Sequence, residues 1–131
     1  MNLNEYLVGI ETLLSAAPLV VSYTLTIDRK TAEMAFLSGK IDLRDGSVLD
    51  FKEFVEQTDE RIAKYKYGYN YRREEIVIFR YDNALDPRAR DLDSYPHHKH
   101  TQAGELIAAR VMTLDDVLEE IEELIFGLGE G

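Results

Sequence analysis

The feature that most constrains this chain is an apolar–polar alternation of period two, repeated from Val21 to Tyr71. Val21, Tyr23, Leu25 and Ile27 alternate with Ser22, Thr24 and Thr26. Ala35, Leu37, Ile41 and Leu43 share one parity, Leu49 and Phe51 open a third stretch, and Tyr65, Tyr67, Tyr69 and Tyr71 alternate strictly. A period of two belongs to β-strands, whose successive side chains point to opposite faces. Arg44-Asp45-Gly46-Ser47 reads as a hairpin turn, because Asp-Gly supplies the positive φ values a tight turn needs. Ile76-Val77-Ile78-Phe79 is a short apolar run that suits a central strand covered on both faces.

Helical periodicity flanks these strands. Leu3, Leu7, Ile10, Leu13 and Leu14 recur at helical spacing, with Asn2 or Asn4 as N-cap and Pro18 as the stop. Near the other end, Leu114, Val117, Leu118, Ile121, Leu124 and Ile125 form one apolar stripe. Thr113 and Asp116 supply a capping box and Gly127 a C-cap. The polar stretch 83–104 reads as mostly loop, and 105–112 fits either strand or helix. This order predicts one α+β domain over residues 1–131. Its parts are an N-terminal helix, a twisted antiparallel β-meander of about five to six strands, and a C-terminal helix packed on one face.

Composition narrows the function classes. At 131 residues, 45% hydrophobic and 31% charged, the chain suits an ordinary globular domain. It has no cysteine, which excludes disulfides, thiolate metal sites and a cysteine nucleophile. No apolar run approaches the ~20 residues of a membrane span. The opening Met1-Asn2-Leu3-Asn4-Glu5 has no basic export signature, so a cytoplasmic location is expected. A net charge of −10 argues against nucleic-acid binding by the chain as a whole. Residues 61–100, however, carry 9 basic and 6 acidic side chains and all 3 histidines. A local basic island of this kind can bind phosphate inside an acidic protein. Gly-rich phosphate loops, dinucleotide fingerprints, serine elbows and zinc-spacing motifs are absent from the sequence.

Three segments of that island carry chemistry. In Tyr65–Arg73 the tyrosines share one strand face and Lys66, Asn70 and Arg72 the other, an arrangement suited to unstacked bases and phosphates. In Phe79–Asn83, Arg80 and Asp82 share a face. Arginine can clamp a phosphate and aspartate can orient an imidazole. In Tyr95–His100, three histidines and Lys99 fall close together. If that segment is extended, His98 and His100 point one way and His97 and Lys99 the other. Imidazoles suit acid–base work near neutrality, and two on one face can also bind a divalent metal, with Asp82 as a third ligand.

Phe79-Arg80-Tyr81-Asp82-Asn83-Ala84 and Tyr95-Pro96-His97-His98-Lys99-His100, together with the tyrosine-rich strand and the terminal helix, resemble the TumE family of toxins from type II toxin–antitoxin systems. The resemblance covers residues 65–124. Family members tend to have a His-containing stretch after Asn-Ala, where this chain has Leu85-Asp86-Pro87-Arg88, so no role carries over there. The resemblance implies a small cytoplasmic toxin paired with an antitoxin and acting as a ribonuclease, with catalytic residues at Arg80, Asp82, His98 and His100.

The expected function is therefore metal-independent endoribonuclease action on single-stranded RNA. One imidazole, His98 or His100, would take the 2′-hydroxyl proton and the other would protonate the leaving oxygen. Arg80 and Lys99 would stabilise charge on phosphorus, and Asp82 would orient a histidine. Tyr69, Tyr71, Arg72, Tyr81, His97 and Lys99 are the expected substrate contacts. No cofactor is called for. The alternatives are a non-catalytic RNA- or protein-binding module and a metal-dependent phosphodiesterase using Asp82 and two histidines. The expected partners are an antitoxin protein and RNA, without a membrane. The sequence leaves a homo-oligomer open.

Overall fold

The computed structural model describes residues 1–127. Helix α1 spans Leu3–Ala16 and is closed by a capping box between Asn2 and Glu5. It ends at Ala17, which turns to extended backbone ahead of Pro18. Seven strands follow: β1 (Val20–Arg29), β2 (Met34–Leu43), β3 (Val48–Thr58), β4 (Arg61–Arg73), β5 (Ile76–Asp82), β6 (His98–Thr101) and β7 (Leu106–Ala108). A 3-10 turn at Pro87–Ala89 lies between β5 and β6. Helix α2 spans Leu114–Phe126, with the Thr113–Asp116 capping box at its start and Gly127 left-handed at its end. The strands lie side by side in chain order as one antiparallel sheet. The class matches the α+β expectation, with seven strands rather than five to six. The additional strands are β6 and β7. They were hidden because the inward positions of β6 are Lys99 and Thr101, so no apolar alternation marks it.

Register decides which residues share a face. Gly39 of β2 pairs with Phe51, Phe51 with Tyr69, Tyr69 with Tyr81, and Tyr81 with Lys99. This odd-numbered face carries the core, and both helices cover it through Leu3, Leu7, Ile10 and Leu14 of α1 and Leu114, Val117, Leu118 and Ile121 of α2. Leu124 falls outside the buried stripe of α2 and is exposed. Close packing also explains Gly39: a Cβ there would lie 2.5 Å from Cε1 of Phe51 and 2.9 Å from the Thr24 carbonyl oxygen. Gly46 takes φ 85° in the predicted hairpin turn.

Besides the register shift between Val20 and Ser22 of β1, two bulges interrupt the period. Phe54 pairs with Lys66 and Val55 with Lys64, so Tyr65 is an extra residue. Tyr65 is therefore exposed and does not share the face of Tyr67, Tyr69 and Tyr71. Tyr71 pairs with Phe79 and Arg72 with Val77, which makes Ile78 the second extra residue. The strand start is left uncovered, with Ile76 and Val77 exposed. The run 76–79 is therefore not covered on both faces, because the helices shield one side of the sheet only.

The core encloses a buried carboxylate. Glu53, 0% exposed, accepts from the hydroxyls of Tyr6 and, at 2.5 Å, Tyr69. Lys64 Nζ lies 3.6 Å from the carboxylate and donates to Tyr69 Oη at 2.6 Å and to the Met112 carbonyl at 2.8 Å. Burial and the Glu53 charge push the Tyr6 and Tyr69 hydroxyls far above their ordinary pKa, and burial pulls Lys64 down. The network fastens α1, β3, β4 and the segment before α2. No helix among the described residues is long and apolar enough to cross a membrane.

Candidate functional site

The opposite, even-numbered face is covered by neither α1 nor α2. Two rows of paired residues cross it. One runs Lys40, Asp50, Asn70, Arg80, His100; the other runs Ser38, Lys52, Gly68, Asp82, His98. The pairing of β5 with β6 thus sets Asp82 opposite His98 and Arg80 opposite His100. Backbone hydrogen bonds between β5 and β6 fix this juxtaposition.

Asp82 is its centre. The carboxylate is 4% exposed and its oxygens are divided among several groups. Oδ2 accepts from Arg80 Nε at 2.8 Å and lies 3.1 Å from His100 Nε2, while Oδ1 accepts from the Ala84 N–H at 3.0 Å. Burial alone would raise the Asp82 pKa, but the Ala84 hydrogen bond and the Arg80 guanidinium outweigh it and hold it below the ordinary value. Burial lowers His100, against the pull of Asp82. The two imidazoles meet edge to face, with centroids 4.9 Å apart.

His98 is set differently from His100. Its side chain is 0% exposed, against 27% for His100. Nδ1 is 2.8 Å from the Pro96 carbonyl oxygen. A carbonyl only accepts, so Nδ1 carries the proton. Nε2 lies 3.0 Å from Asp82 Oδ1 without hydrogen-bond alignment, and no other group pairs with it. The ligand-capable atoms of Asp82, His98 and His100 all lie within 4.8 Å of one another.

Two shallow clefts adjoin the cluster. One, of about 300 Å³, is lined by Ser38, Asp50, Phe51, Lys52, Gly68, Asn70 and Arg80. The other, of about 130 Å³, includes Lys52, Lys66, Arg80, Asp82 and Ala84. Gly68 leaves the floor between them open, since a Cβ there would stand 3.4 Å from Arg80 Nη2 and 3.5 Å from Lys52 Cε. Lys52 and Lys66 are exposed and make no ion pair among the described residues.

Arg80, Asp82, His98 and His100 are thus brought together, as expected from the sequence. The expected substrate contacts divide. Arg72 lies on the open face but is held by Asp50 at 2.6 Å. Tyr69, Tyr71 and Tyr81 are buried on the helix-covered face, so they are not platforms for bases. Their hydroxyls bind Glu53, Ser47 and Glu120. Lys99 is on that face too, paired with Glu120 at 2.8 Å, and cannot stabilise a phosphate beside Arg80. His97 stacks on Tyr67 and shares a 2.8 Å hydrogen bond with its hydroxyl, which burial and the Asp82 charge push up to about 12. The burial of His98 also removes it from direct proton exchange with a substrate. Lys52 went unrecognised in the sequence. Its signal was its even parity in β3, which register places beside Gly68.

No curated protein and no solved structure matches the chain. A family model described as Toxin TumE matches residues 10–125. With the two motifs meeting on one sheet face and the match spanning most of the sequence, the chain belongs to the TumE toxin family.

Proposed function

We propose that this toxin cleaves single-stranded RNA in the cytoplasm on the uncovered face of its sheet, and that its cognate antitoxin restrains it there. The observation that carries this reading is the Arg80–Asp82–His100 cluster on the open face, flanked by Lys52 and Lys66, which make no ion pair among the described residues. Asp82 engages Nε of Arg80, which leaves the terminal nitrogens, 38% of that side chain being exposed, to bind the non-bridging oxygens of a phosphodiester. Lys52 and Lys66 bind neighbouring phosphates as point charges. The cleft over Gly68 admits the backbone of a strand whose bases face solvent, so specificity rests on the phosphate track rather than on tyrosine stacking. Preorganised cations at the scissile phosphate stabilise the charge that develops on phosphorus.

The two-imidazole scheme needs both rings at the substrate. Only His100 is exposed enough to reach it, and His98 acts as a positioning residue behind Asp82. The test is cleavage of a 5′-labelled single-stranded RNA by purified protein, with a 2′-O-methyl copy alongside. The reading expects fragments from the RNA, none from the methylated copy, and loss of cleavage in Arg80→Ala. RNA bound but left intact would make the chain a non-catalytic binding module. No binding and no cleavage would remove RNA as its target.

A further inference from the structure

We infer that Asp82, His98 and His100 form a binding site for one divalent transition-metal ion. The inference deepens the RNA-cleavage reading at the same site, but the binding it describes needs no RNA.

The first argument is the state of His98. Its Nδ1–H is committed to the Pro96 carbonyl, so in the neutral ring Nε2 presents a lone pair. That atom is fully buried and has no hydrogen-bond donor, and its near neighbour is a carboxylate oxygen, another lone-pair bearer. Two buried acceptors facing each other at 3.0 Å are unfavourable unless a proton or a metal ion lies between them, and the absence of hydrogen-bond alignment favours the metal ion. The arrangement also has the outer-shell pattern of a metal-bound histidine, in which the remote ring N–H donates to a backbone carbonyl and fixes the tautomer and ring orientation.

The second argument is spacing. Each imidazole Nε2 is already 3.0 or 3.1 Å from an oxygen of Asp82. Adjacent ligands around one ion, at bond lengths of ~2.0–2.2 Å, stand roughly 3 Å apart. All three ligand atoms lie within 4.8 Å, and His100, the most exposed of the three, has the freedom to close the remaining gap.

The donor set identifies the ion class. Two imidazoles and one carboxylate suit Zn²⁺, Mn²⁺, Fe²⁺ or Co²⁺ rather than the all-oxygen preference of Ca²⁺ and Mg²⁺. Three protein ligands leave positions for water or a phosphate oxygen, beside the terminal nitrogens of Arg80. The ion would thereby supply the second activating group that a single reachable imidazole lacks.

The experiment uses full-length protein stripped with EDTA, then titrated with Zn²⁺ and Mn²⁺ by calorimetry and with Co²⁺ by visible absorption. One ion per chain is expected. His100→Gln, at the partly exposed ring, should weaken binding by at least the roughly 10–100-fold typical of a lost outer-shell partner. His98→Gln should do the same, with folding checked by circular dichroism, and Lys30→Ala, at an exposed lysine paired with Asp28, should bind normally. The site is overturned if stripped wild type binds none of the three ions more tightly than His100→Gln does, or if Mg²⁺ binds as tightly as Zn²⁺. RNA cleaved at full rate by ion-free protein would overturn the ion's part in cleavage, while leaving the ribonuclease reading intact. One ion bound with RNA left intact would support the site and defeat that reading instead.

Discussion

Glu53→Leu is expected to be among the most destabilising single substitutions in this chain. The carboxylate is 0% exposed and lies 3.6 Å from Lys64, whose side chain is 12% exposed. Removing one partner of a buried pair leaves the other charge uncompensated, at a cost of about 3–5 kcal/mol. For a domain of this size, between the usual small and large classes, 1 kcal/mol shifts Tm by roughly 3–4 °C, so the loss should be ~10–20 °C. The charge is the cause, so Glu53→Leu combined with Lys64→Met should recover most of it, since apolar replacement of a buried pair is often neutral. What remains is chiefly the Tyr69 hydroxyl, on a residue 0% exposed and now without an acceptor, worth about 1–3 kcal/mol, since Tyr6, which also loses Glu53, is only partly buried. Urea titrations followed by circular dichroism, with the slope checked for constancy, measure both variants. A Glu53→Leu loss below about 1 kcal/mol, or a double variant no more stable than the single, would refute the reasoning.

Other outcomes follow from the same geometry. Lys52→Ala with Lys66→Ala should weaken single-stranded RNA binding for all sequences and flatten the salt dependence, by a slope change of ~1.4 for two lost phosphate contacts, read by fluorescence anisotropy. Gly39→Ala should destabilise by roughly 1–3 kcal/mol, because its Cβ would strike Phe51 and the Thr24 carbonyl, and thermal melts give the value. Thr113→Ala should cost ~1 kcal/mol through loss of the α2 cap, measured the same way. Asp116, the other half of that cap, is held below its ordinary pKa of 3.8 chiefly by the Thr113 N–H, with the Arg110 bond helping. A depressed carboxyl stabilises the fold above its unfolded pKa. The advantage of wild type over Asp116→Asn should therefore be complete near pH ~6 and vanish as pH falls through the folded value, as melts across that range would show.

Much of the architecture was legible because strands and helices write different periods. The hairpin at Asp45-Gly46, the N-cap at Asn2, the Thr113–Asp116 capping box and the stop at Pro18 all stand where local chemistry puts them. The clustering of Arg80, Asp82 and His100 was legible from parity, given one extended segment. What misled was the choice of covered face in β4. Tyrosines and cations alternate there, and either set fits a half-buried surface. The deciding information lay in the neighbouring strands, where Leu37, Leu49, Phe51 and Phe79 register with the tyrosine side. Glu53 was equally readable in hindsight, as a carboxylate on the same parity as Leu49 and Phe51. Lys64 was not, because the extra residue at Tyr65 reverses the parity on its N-terminal side.

That reversal has a genetic corollary. Core and site are alternate teeth of the same strands, so deleting one residue between Lys66 and Asn70 would point the lysine inward and a tyrosine at the phosphate track. The positions 65 and 78 behave as phase resets, where the chain already absorbs an odd count. Length changes should therefore be lethal to both halves of the protein at once everywhere in these two strands except near those two points, and a deletion scan read by solubility would trace the resets directly.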